Sequence, residues 1–187
     1  MFGMEMVRRQ LAKEEMEEIG SWLVGQSMRF AADVNGRFKE VPPLLAATEG
    51  VSFFLHALRR QAFRSHEWKA WSSIFEPGLK QTILLFAMTL SAWSEADLDR
   101  EALARDIQNL VSSRSLEFQT VPFLAGPPED RQTVVWSASR RIADAIDPVY
   151  RDAVIAYVHE TYGRIVENEL PEQVAKLEKL LYGRRAA

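Results

Sequence analysis

The chain has 187 residues, 47% of them hydrophobic and including five Trp and ten Phe, which suits one domain with a substantial core. Lys and Arg number 23 against 26 Asp and Glu, a net charge of −3; this argues against a dedicated nucleic-acid binder, whose domain is usually basic. There is no cysteine, which removes disulfides, thiolate metal sites and a cysteine nucleophile together.

The first residues carry charges every few positions and no apolar run of the secretory type, so a cytoplasmic location is expected. Residues 4–34 read as a long first helix, because Val7, Leu11, Ile19, Trp22, Leu23 and Phe30 recur at spacings of three, four and seven. Glu14, Glu15, Glu17 and Glu18 form an acidic, solvated stretch on it. Gly20 and Gly25 either weaken its middle or mark a close helix crossing. Asn35-Gly36 is expected to end the helix, since both residues tolerate the left-handed conformation. Pro43 then suits a first helical position.

A second helix is expected over residues 44–64. Val51, Phe54, Leu55, Leu58 and Ala62 form its core stripe. At ~100° per residue, Phe53, His56, Arg60, Phe63 and Arg64 fall together on the opposite side. Three accounts of that aromatic-basic face follow. The helix is packed on both sides, with its arginines paired to carboxylates of the first helix; or the face meets a protein partner or a second copy; or it stacks single-stranded nucleic acid, which the acidic chain disfavours.

Ser65 opens a short helix with Trp68, Trp71 and Phe75 on one side, and Pro77-Gly78 is expected to close it. The stretch 79–93, LKQTILLFAMTLSAW, has no polar side chain from Ile83 to Met88. A helix that is apolar all round is enclosed by other helices or by lipid. A bilayer span needs ~20 apolar residues, and this run is bracketed by Lys80 and Glu95. It is therefore expected to be the buried central helix.

Ser94 to Asp97 resembles an N-cap with an acidic first turn, followed by a helix to about Phe118. Residues 120–130 are the clearest loop, with three Pro and one Gly. A helix is expected over 128–146 with Val135, Ala138, Ile142 and Ala145 inward. Asp147-Pro148 restarts the chain as N-cap and first position of a helix reaching about residue 170, and Pro171 begins a short last one. No β alternation and no fixed repeat is visible. The expected fold is all-α: one domain over residues 1–187, a bundle of six to eight helices around a buried central helix at 79–93.

Chemistry-bearing patterns are sparse. The three His are His56, His66 and His159, none three or four residues from another, and no HExxH or Glu-x-x-His pair occurs. The nucleophile elbow and the glycine-rich phosphate loops are missing too. Neither a cofactor nor a metal is implied. The leading expectation is a non-enzymatic protein-interaction or adaptor module, self-associating as a homodimer. Its surface would be Phe53, His56, Arg60, Phe63 and Arg64, with Trp68 and Trp71 beside them. The alternative is a sensor or carrier of a small anionic ligand, with Trp68, Trp71 and Trp93 lining a cavity and Arg60 or His56 meeting the charge. A third reading is an enzyme using His66 or His159 beside a carboxylate. None of the three needs a membrane.

Overall fold

The computed structural model describes residues 2–62, 68–93, 99–122 and 133–182, with backbone alone for 2–12, 62, 68–77 and 179–182. Within these residues run seven α-helices: α1 (Phe2–Arg37), α2 (Pro43–Ala62), α3 (Trp68–Trp93), α4 (Arg100–Gln119), α5 (Val134–Ala143), α6 (Arg151–Asn168) and α7 (Leu170–Tyr182). A single 3₁₀ turn, Pro148–Tyr150, leads into α6. No strand occurs among the described residues. The chain is thus the all-α bundle that its helical periodicity implies, and none of the described helices is long and apolar enough to cross a membrane.

The helix starts are written in side chains that accept the first free N–H groups. Asp99 accepts from the amides of Glu101 and Ala102, Thr133 from that of Trp136, and Asp147 from that of Val149 with Pro148 at the first position. The Asp147 restart is the one expected from sequence. The α4 cap is Asp99 rather than Ser94, and α5 begins at Val134 rather than near residue 128. Residues 94–98 and 123–132, which carry the rest of those two expectations, lie outside the described residues. At the end of α1 the helix runs through Asn35-Gly36 to Arg37, and Asn35 Nδ2 reaches over to the Val41 carbonyl at 3.0 Å. The chain is also helical through Pro77-Gly78, so the short helix and the apolar stretch are one element, α3. Pro77 removes one rung of the ladder, yet tertiary packing keeps the helix going: Gly78 lies directly against Met16 of α1.

The centre of the bundle is α2. Every residue from Val51 to Leu58 is buried, and the helix packs against α1, α4, α5 and α7. An aromatic cluster fills the space between α1, α2 and α6. The Tyr162 ring stacks on Phe53 at 4.0 Å and on Phe30 at 4.5 Å between centroids, and Phe54 meets it edge-on at 5.5 Å.

The stretch 79–93 is not walled in on every side. It packs against α1 and α4, burying Ile83, Phe86, Ala87 and Leu90. Its other face is open: Leu84 is 46% exposed, Leu85 40% and Met88 44%. The all-round apolar rule is a statement about what water penalises; here that penalty is borne at the surface instead of being relieved inside. The true central helix looked amphipathic because it carries Glu49, Ser52, His56 and Arg59. Glu49, Ser52 and Arg59 are hydrogen-bonded within the bundle, and the His56 ring lies edge-on to Phe118.

Candidate functional site

Each residue singled out from the sequence has a definite place or lies outside the described set. Phe53 is fully buried and His56 is 5% exposed, so neither offers a surface to a partner. Their face of α2 is covered by α4 and α5 and by the Tyr162 ring, which is the packing half of the first of the three accounts of the aromatic-basic face. Phe63 and Arg64 lie outside the described residues. Trp68 and Trp71 belong to the first turns of α3, and their side chains are outside the described set. Trp93 is exposed at the other end of α3. His159 is buried on α6, and His66 is outside the described residues.

Among the described residues the arginines of α2 turn to α4 and the turn after it. Arg59 Nη1 donates to Ser115 Oγ at 3.1 Å, and Arg60 Nη1 donates to the carbonyls of Phe118 at 3.1 Å and Val121 at 2.7 Å. These carbonyls end α4, where the helix dipole is negative and a guanidinium is favoured. The His56 ring meets Phe118 edge-on at 5.2 Å. Burial, and then the charges of Arg60 and Arg59, lower its pKa from 6.5 to about 4, so it is neutral near pH 7.

Beside this cap lies an ionic network that runs from buried Glu49 out to part-exposed Glu117 and Arg141. The Glu49 carboxylate is clamped by Arg114, whose Nη2 donates at 2.6 Å and Nε at 3.0 and 3.1 Å. Glu117 lies between Arg114 and Arg141 and accepts from Arg141, a bond that raises the Arg141 pKa. The Tyr162 phenol is pushed well above its usual range by burial and then by the Glu49 charge, and its hydroxyl has no hydrogen-bond partner among the described residues. A buried carboxylate with one guanidinium partner depends strongly on it: losing the partner of such a pair costs ~3–5 kcal/mol. The arrangement locks α2 to α4, and α4 to α5. Among the described residues no three of His, Cys, Asp and Glu gather as metal ligands.

The feature not expected from sequence is outside, on α3. Gln81, Leu84, Leu85, Met88 and Ala92 share one face at ~100° per residue and are all exposed. No ionisable side chain occurs between Gln81 and Trp93. Thr82 and Thr89 return their hydroxyls to the carbonyls of Gly78 and Leu85, both at 2.9 Å, so these polar groups are satisfied within the helix. An open groove of about 220 Å³ runs alongside, between α1 and α3, with Met16, Glu17 and Gly20 on one wall and Gly78, Gln81 and Leu85 on the other. Gly20 lies so close to Thr82 that a Cβ there would stand 2.6 Å from Oγ1. The signal in the sequence was the absence of any polar residue from Ile83 to Met88, which is equally the mark of an uncovered seam.

No protein-family model matches the chain, and no curated protein and no solved structure is detectably similar to it.

Proposed function

We propose that the chain is a non-enzymatic, cytoplasmic protein-interaction module that works through the apolar face of α3. The observation that carries this reading is the exposure of Leu84, Leu85 and Met88 together on one described helix face. Apolar side chains gathered on one exposed face, rather than scattered singly, are the kind of surface that docking sites use. The interior supports the same reading, since the polar groups of α2 are engaged in holding α4. The groove beside α3 is a poor seat for an anionic ligand, because Glu17 lines it.

The test is site-specific photocrosslinking in the producing cell. A photoreactive residue at Met88 should yield a discrete crosslinked species, and the same residue at exposed Asp152 of α6 should not. No adduct at Met88, or the same adducts at both positions, overturns the proposal.

A further inference from the structure

Resting on that reading, we infer that the groove between α1 and α3 seats an arginine side chain of the protein partner, with its guanidinium on Glu17. The groove exists because two glycines stand where the helices cross. A Cβ on Gly78 would lie 2.5 Å from the Met16 methyl, and one on Gly20 2.6 Å from Thr82 Oγ1. Both contacts advance four residues along both helices, so α1 and α3 run side by side in the same direction here. Met16 and the two glycines are buried and form the floor. Glu17 and Ser21 on one side, and Gln81 and Leu85 on the other, are exposed and form the walls.

Size and charge select the occupant. About 220 Å³ is less than the ~300–1,000 Å³ of a site for a drug-sized ligand. At ~30 Å³ per water-sized group it holds roughly seven, the number of non-hydrogen atoms in an arginine side chain. Of the residues that line it, Glu17 alone is ionisable. The Glu17 contact with Lys13 is an exposed i,i+4 pair at 3.8 Å, longer than a hydrogen bond and worth little in water, so a second cation can take the carboxylate over. A metal ion would need several oxygen ligands, whereas this groove offers one carboxylate above a methionine floor. An organic cation with an alkyl stem suits both parts, its stem over Met16 and the glycines and its head at Glu17.

The placing of the acceptors favours arginine over lysine. Ser21 is one helical turn from Glu17, a spacing of ~5–6 Å between Cβ atoms, and Gln81 stands on the opposite wall. A guanidinium carries five N–H donors in a planar fork and reaches two acceptors at once, while an ammonium is a compact point charge. Leu85 belongs both to the groove and to the exposed face of α3, so a partner seated on that face lies over the groove.

The groove is tested with butylguanidinium chloride, titrated into the isotopically labelled full chain at constant ionic strength and followed by amide chemical shifts. Saturable shifts are expected at Glu17, Gly20, Ser21, Gly78 and Gln81, with a dissociation constant in the millimolar range. Glu17→Gln should weaken binding about three- to fivefold and leave the circular dichroism unchanged, since the side chain is exposed. Butylammonium should bind more weakly, and butyrate should give no saturable shift. In the cell, adding Glu17→Lys to the chain with the photoreactive residue at Met88 should cut the adduct yield at least fivefold. No saturable shift in the groove, undiminished binding by Glu17→Gln, or butylammonium binding as tightly as butylguanidinium overturns the inference. A Met88 adduct that Glu17→Lys leaves unchanged also overturns it, while the interaction module stands; no adduct at Met88 without that substitution removes both.

Discussion

His56 shows how a single residue can be conspicuous in sequence and still be misplaced. Its neighbours Arg59 and Arg60, and Phe53 one turn earlier, were legible as an unusual face of α2; that the face is internal was not. The groups that cover it, Ser115, Phe118 and Val121, lie 56 to 61 positions along the chain, beyond the reach of any helical period. The same holds for Glu49, which reads as an ordinary surface carboxylate until Arg114, 65 positions away, closes on it. The neutral state of His56 has a measurable consequence. The unfolded chain takes up a proton on this residue near pH 6.5, whereas the folded chain does not until about 4. Between those values the unfolded state binds more protons, so stability falls as pH falls through that window and is fully present above it. Urea unfolding of the parent and of His56→Asn should therefore show the parent's relative stability declining from pH 7 to pH 4.5. A stability difference that stays constant across that range would contradict the buried, neutral placement.

Helices were far more legible than their neighbours, because amphipathic spacing is local while crossings are not. All of α2, α6 and α7 lie within a few residues of their expected bounds. The failures came where a local breaker was overruled, at Pro77-Gly78 and at Asn35-Gly36, or where the cap of α4 is a later residue, Asp99, than the one expected. Gly20 and Gly25 make the point sharply. In sequence they are the same feature, five residues apart on α1. In the structure a Cβ at Gly20 would stand 2.6 Å from Thr82 Oγ1, whereas at Gly25 it would meet only the end of Arg29, at 3.8 Å. Gly25→Ala should then stabilise the chain by about 0.5–1 kcal/mol through helix propensity alone. Gly20→Ala gains the same propensity but must push α3 aside or rotate Thr82, and overpacking costs ~1–3 kcal/mol. A net loss of about 1 kcal/mol is expected, recovered in part by adding Thr82→Ala. Equal shifts in thermal midpoint for the two alanine variants would mean that α1 and α3 do not cross where described.

At the scale of the whole molecule, the composition of 79–93 correctly signalled an element that water disfavours, but not the remedy. A buried central helix and a partly uncovered surface helix can have the same apolar sequence; what separates them is how many helices stand around each, and that is a property of the completed bundle. Among the described helices, α2 packs against α1, α4, α5 and α7, and α3 chiefly against α1 and α4. The same bundle geometry bears on whether the chain is one cooperative unit or divides near residue 125. The two sequence halves are interlocked rather than stacked. Tyr162 of α6 is inserted between Phe30 of α1 and Phe53 of α2. Arg141 of α5 bonds Glu117 of α4, and Lys176 of α7 pairs with Glu18 of α1 at 3.6 Å. Removing α5 to α7 would expose the aromatic cluster to water, and removing α1 to α4 would leave Tyr162 and Ile142 without a core. A single transition is therefore expected on urea unfolding, with far-UV circular dichroism and tryptophan fluorescence tracing one curve. The fluorescence reports mainly the first half, where Trp22, Trp68, Trp71 and Trp93 lie, while the helical signal comes from all seven described elements. If the halves unfolded independently, the fluorescence midpoint would separate from the helical one, and the interlocking at Tyr162 would have to be too weak to couple them.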